Sequence, residues 1–187
     1  LGLGVPSMPR TGFGVVARDF NRDGREDLLV GNGRVTRGPE VVLPSLGDPW
    51  NGMAEPNDLY LRSGSGFELA PKDPVLSEVG LTRAVVAGDF DRQGQLEVLI
   101  VNVETPSILV TPPKSDAREL FVEAVDQAGH PVLHALIFCQ TGERIQRRRQ
   151  GISDGYASAQ PPEVHFGLAA SQAPAELTVQ WPDGAPW

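Results

Sequence analysis

The chain has 187 residues, 40% hydrophobic and 21% charged, and a formal net charge of −8 at pH 7. That acidity argues against nucleic acid and anionic membrane surfaces as partners, because holding phosphates requires clustered Lys and Arg. No run approaches the roughly 20 apolar residues that a membrane-spanning helix needs, and the single cysteine, Cys139, permits no internal disulfide.

In chain order, a short apolar strand at 15–17 leads into Asp19-Phe20-Asn21-Arg22-Asp23-Gly24-Arg25-Glu26-Asp27, and a second strand follows at 28–30. Asp19, Asn21, Asp23 and Asp27 occupy loop positions 1, 3, 5 and 9, with Gly24 at position 6. Hard oxygen ligands converging in a tight turn suit Ca²⁺, and the Arg25 carbonyl at position 7 would add a backbone ligand. Three carboxylates this close repel one another without a cation. An EF-hand is rejected, since position 12 is Val30 rather than Glu and no helix follows. A metal-free hairpin turn is the plainer alternative, because Asp, Asn and Gly favour turns in any case.

The frame recurs 70 residues later as Asp89-Phe90-Asp91-Arg92-Gln93-Gly94-Gln95-Leu96-Glu97, between apolar runs at 84–87 and 97–101. Asp89, Asp91, Gln93, Glu97 and the carbonyl position at Gln95 form the second candidate set. Neutral Gln93 at position 5 and the longer Glu97 at position 9 rank this loop as the weaker Ca²⁺ site.

These two loops, and the Asn57, Leu59, Tyr60, Gly64, Gly66 and Phe67 between them, resemble the FG-GAP/VCBS repeat of β-propellers. From about Lys114 onward the chain is similar to the ASPIC/UnbV domain, through Gly142, Arg144, His165-Phe166-Gly167-Leu168 and Trp181-Pro182-Asp183-Gly184. This order resembles the C-terminal end of the cartilage acidic protein 1 family. One departure is Gly129-His130-Pro131-Val132-Leu133, where the family's domains carry a glycine-rich Asn-x-x-Gly-Ile-Gly-Ala stretch. The resemblance implies an extracellular, calcium-stabilised interaction or adhesion module.

The expected fold is all-β: a partial β-propeller of about two blades over residues 1–113, then a small β-sandwich-like domain over 114–187. Further strands are expected at 58–61, 108–110, 117–125, 132–140, 144–150 and 176–181. A Pro/Gly-rich insertion at 31–56 interrupts the repeats, and its Trp50 is either an exposed contact or an aromatic packed under its own loop. Arg144, Arg147, Arg148 and Arg149 read as a solvated strand face. Cys139 reads as a buried, inert thiol, and His165 as a packing residue. His130 and His134 stand four apart, but Pro131 between them argues against a zinc pair.

No Gly-x-Ser-x-Gly elbow, phosphate-binding glycine loop or further carboxylate pair is present, so no enzyme is expected. Two blades cannot close a propeller, so the uncovered edges call for upstream blades of a larger propeller, for protein partners or for self-association, with glycans as a further ligand class. The alternatives are a protomer that assembles into filaments through those edges, and an accessory domain of a larger secreted enzyme.

Overall fold

Apolar runs alternate with Gly-, Asn- and Asp-rich joints, and that pattern sets the strands. A computed structural model describes residues 2–38, 46–72, 76–112, 116–152, 154–169 and 176–182. The boundary expected at 113/114, residues 39–45 of the insertion and Asp183-Gly184 lie outside the described residues. After one short helix, α1 (Gly4–Ser7), the chain is β throughout the described residues apart from a 3-10 turn at Trp50–Met53.

The first sheet contains β1 (Gly12–Arg18), β2 (Asp27–Asn32), β4 (Asp58–Ser63) and β5 (Gly66–Leu69), antiparallel and in that order. A two-residue strand, β3 (Glu55–Pro56), pairs with β6 (Val79–Gly80) and leads across to the second sheet. That sheet contains β7 (Thr82–Gly88), β8 (Glu97–Asn102) and β9 (Ile108–Val110). The repeat seen in the sequence extends to strand register. Val16 faces Leu29 as Val86 faces Leu99, and both hairpins shift register at matching places, Gly12/Gly14 and Thr82/Ala84.

β1 and β7 lie side by side, and glycine makes the approach possible. A Cβ on Gly14 would sit 2.6 Å from the Val85 nitrogen, and one on Gly31 would meet Thr82 Cγ2 at 2.5 Å. The two sheets then share one core, formed by Val16, Phe20, Leu29, Leu59, Val85, Leu96, Val98 and Ile100. Asn57 ties the first sheet to the insertion by accepting the Asn32 N–H at 2.9 Å. Trp50 and Met53 pack on Leu46, Ala54 and Leu81, so Trp50 is held under its own loop.

The remaining strands are β10 (Glu119–Val122), β11 (Leu136–Thr141), β12 (Arg144–Arg149), β13 (Asp154–Gly155), β14 (Ser158–Ala159), β15 (Val164–Gly167) and β16 (Glu176–Gln180). β11 is central between β12 and β16, β10 pairs with β15, and β13 with β14. Ile137 and Cys139 from β11 meet Val164 and Phe166 from β15 in a second core. Burial raises the Cys139 thiol pKa, which keeps it an unreactive thiol.

Two expectations need correction. The strands expected at 117–125 and 132–140 are shorter, because Gly129 and His134 adopt positive φ (82° and 72°) and break the extended run. The arginine run is not one solvated face. β12 alternates, so Gln146 is buried and Arg148 turns inward over the Phe166 ring at 5.5 Å, while Arg144, Arg147 and Arg149 remain exposed.

Candidate metal centre

Both nine-residue loops share a backbone. Each carries positive φ at position 4 (Arg22 60°, Arg92 58°) and at position 6 (Gly24 84°, Gly94 76°). This winding turns successive backbone amides toward the position-1 carboxylate. Gly24 N–H donates to Asp19 Oδ2 at 2.5 Å, and Gly94 N–H donates to Asp89 Oδ2 at 2.9 Å. Position 9 braces the turn from the other side. Asp27 Oδ2 accepts from Phe20 N–H at 2.9 Å, and Glu97 Oε2 accepts from Asp91 N–H at 3.1 Å.

The side chains diverge from there. In the second loop, ligand oxygens of Asp89, Asp91 and Glu97 lie within 4.8 Å of one another, as in no other acidic group among the described residues. Asp89 Oδ1 is buried with no hydrogen-bond partner. A cation fits such a cluster, since it would satisfy the orphaned oxygen and neutralise crowded charge. Gln93 is exposed and gives its backbone N–H to Asp91 Oδ1 at 2.9 Å, and Gln95 is half-buried at the loop's edge.

In the first loop, Asp23 turns to Arg25, whose Nη2 stands 2.6 Å from its Oδ2. Against the cost of partial burial, Arg25 holds the Asp23 carboxyl below its ordinary pKa. Asn21 Oδ1 accepts from Asp23 N–H at 3.1 Å. Asp27 is fully buried, and its Oδ1 accepts from Arg62 N–H of β4 at 2.7 Å. Asp19 is buried too. Its pKa is pushed up to about 7, first by burial and then by the charges of Asp23 and Asp27. A second guanidinium, from Arg144 on β12, covers Gly24 and donates to the Asp23 carbonyl.

Sequence reasoning missed the joint beneath these loops. Glu119 of β10 pairs with Arg22 Nε, accepts Leu96 N–H at 3.0 Å and meets His165 Nε2 at 3.1 Å. One buried carboxylate therefore touches the first loop, the end of the second loop and β15. Glu163 accepts Asp89 N–H at 2.8 Å. Gln160 acts as a substitute strand for β7, accepting Ala87 N–H at 3.0 Å and donating to Val85 carbonyl at 2.8 Å. These partners lie roughly 23 to 97 residues apart in the chain, so no local pattern announces them.

Residues 127–186 match the family described as ASPIC and UnbV. Over 136 residues the chain is 31% identical to cartilage acidic protein 1 of Mus musculus and 29% identical to that of Homo sapiens. It is 30% identical over 103 residues to that of Xenopus tropicalis. The chain is cartilage acidic protein 1-like. The alignments cover 71%, 71% and 54% of this chain but only 17%, 16% and 13% of those proteins, so the chain spans about a sixth of the mammalian relatives' length. No helix among the described residues is long and apolar enough to cross a membrane.

Proposed function

We propose that this chain is a non-enzymatic, extracellular interaction module in which the 89–97 loop holds a structural Ca²⁺. The convergence of Asp89, Asp91 and Glu97 around a buried, unpartnered Asp89 oxygen carries this reading. Oxygen-only ligands on a loop open to solvent favour Ca²⁺ over Zn²⁺, which takes nitrogen and sulfur. The ion would neutralise three carboxylates and pin the β7–β8 hairpin, leaving Glu163 and Glu119 to pass that rigidity to the ASPIC/UnbV region. This reverses the ranking suggested by Gln93, because arginines already crowd the first loop.

We further read the two sheets as consecutive propeller blades. A four-stranded meander followed by a matching three-stranded one, with β1 beside β7, supports that. Exposed Val15 and Leu109, at 46% and 55% of their maximal exposure, favour a protein partner or a second copy on the outer faces.

Calorimetric titration of the chain with Ca²⁺ tests the metal reading. One saturable site, weakened in Asp89→Asn and unchanged in Asp23→Asn, is expected. No heat of binding, or equal loss in both variants, refutes it. Turnover in a broad hydrolase and lyase screen would refute the non-enzymatic reading.

A further inference from the structure

Between the first sheet and the ASPIC/UnbV region lies a cavity of about 240 Å³ whose lining runs against the charge of the molecule. The chain carries a net charge of −8, yet Arg18, Arg147, Arg148 and Arg149 line this space against only Glu26 and Glu163. Both glutamates are committed. Glu26 Oε1 stands 3.3 Å from Arg148 Nε, and Glu163 Oε1 accepts the Asp89 N–H.

Arg18 is the telling residue. Its Nη1 donates to its neighbour Ala17's carbonyl at 2.9 Å and its Nη2 to the Ala87 carbonyl at 3.3 Å. Its Nε is buried with no partner, and among the described residues no carboxylate stands within ion-pairing distance. Burial lowers its pKa. Arg147, at the rim, has a guanidinium with no hydrogen bond or ion pair among the described residues. The His165 ring also lines the cavity, fully buried, with Nδ1 unpartnered while Nε2 serves Glu119.

Glu26 and Glu163 act on the Arg18 guanidinium from beyond pairing distance, and a buried guanidinium without a paired anion is costly unless something else supplies the charge. We propose that this cavity is a binding site for a compact oxyanion, a carboxylate, sulfate or phosphate group, held by Arg18 from within and Arg147 at the mouth. Guanidinium forks match the paired oxygens of such groups. At about 30 Å³ per water, the cavity volume corresponds to some eight waters, enough for the anionic head and a short stem. The site is separate from the proposed Ca²⁺ loop and needs no metal.

The test is an NMR titration of the full chain with sodium acetate, sulfate and phosphate in turn, at ionic strength fixed with chloride. The side-chain Nε–H of Arg18 and the amide of Gly151 are the reporters. At least one anion is expected to shift both saturably, with a dissociation constant on the order of millimolar. Which of the three saturates identifies the group. Arg18→Gln should weaken binding by about tenfold and Arg147→Gln by about threefold, whereas Arg62→Gln, which does not line the cavity, should not. Arg147 is exposed, so its variant folds even if Arg18→Gln does not. Linear shifts no different from chloride, or saturation unchanged in Arg147→Gln and in any folded Arg18→Gln, would overturn the proposal.

Discussion

The two loops are the same backbone in different surroundings. Positions 4 and 6 take left-handed φ in both, and the position-1 carboxylate accepts the position-6 amide in both. The first loop is nonetheless buried under the second region. Gly167 of β15 lies so close that a Cβ there would reach Asp19 Oδ2 at 2.0 Å, and Asp19, Arg22 and Asp27 are almost wholly inaccessible. The second loop is open, with Phe90 42% exposed where its counterpart Phe20 is 6% exposed. A motif that codes for a cation-seeking turn thus has two outcomes. Where the turn is buried, arginines supply the positive charge, and where it is open, Asp89, Asp91 and Glu97 converge on one point.

If burial of the first loop is what separates the pair, the joint that buries it should dominate stability. Glu119→Ala would remove the carboxylate that Arg22 Nε, His165 Nε2 and Leu96 N–H share. Breaking one side of a buried ion pair costs about 3–5 kcal/mol, and chemical denaturation should register a loss of that size. A loss below about 1 kcal/mol would mean that the joint relaxes to water and the two loops differ less than their burial implies. Gly167→Ala is next. The added methyl meets Asp19 and the Arg22 backbone, and overpacking of this kind costs about 1–3 kcal/mol. Gly94→Ala in the second loop enters open space, so only the strain of its 76° φ opposes it.

The third effect is on metal. Asp89→Asn should reduce Ca²⁺ affinity by about tenfold, or 1.4 kcal/mol, while Asn21→Ala in the first loop leaves the measured isotherm unchanged. The fourth is a pH dependence. His165 is buried beside Glu119, with Arg18 and Arg148 also bearing on it, and burial lowers its pKa from 6.5. The unfolded chain therefore binds a proton below pH 6.5 that the folded chain resists. Stability from this residue is complete above that pH and declines as pH falls below it, by at most about 1.4 kcal/mol per pH unit. Asp19, with its raised pKa, pulls the other way over about pH 4–7. The comparison is thus wild type minus His165→Gln, in denaturant midpoints at pH 7.5 and 5.5. A difference independent of pH would show that the ring titrates alike in the folded and unfolded chains, and one that grows toward pH 5.5 would show that it is charged in the fold.

Much of this was legible in the sequence. The expected strands at 28–30, 58–61, 84–87, 97–101 and 108–110 fall within or on β2, β4, β7, β8 and β9, because apolar runs between Asx–Gly turns leave little choice. β15 was missed, though Val164, His165, Phe166 and Gly167 are all buried. A strand hidden on both faces has no alternation to read, and its histidine and glycine disguise it. The oxygen pattern located both loops as turns of one backbone, and in the second the carboxylates converge as a cation site requires. It could not reveal that Arg144, 121 residues away from Asp23, would reach one of them. Blade counting led to the expectation of an uncovered edge; the edge of β7 is capped by Gln160 of the same chain, which no local pattern announces.

Arg144 gives the smallest effect and the sharpest separation of the loops. Its side chain is exposed, and among the described residues it rests on Gly24 and donates to the Asp23 carbonyl. Exposed pairings of this kind contribute about 0–1 kcal/mol, so Arg144→Ala should shift the denaturation midpoint barely at all. The informative readout is calcium. If the Arg144 guanidinium helps take the place of an ion at the first loop, removing it raises the negative potential around Asp19, Asp23 and Asp27, with Arg25 still paired to Asp23. A second, weaker Ca²⁺ binding event should then appear in the titration of Arg144→Ala, and Asp23→Asn added to it should remove that event. If the variant still binds a single ion at the 89–97 loop, the first loop is closed by its burial alone and arginine is incidental.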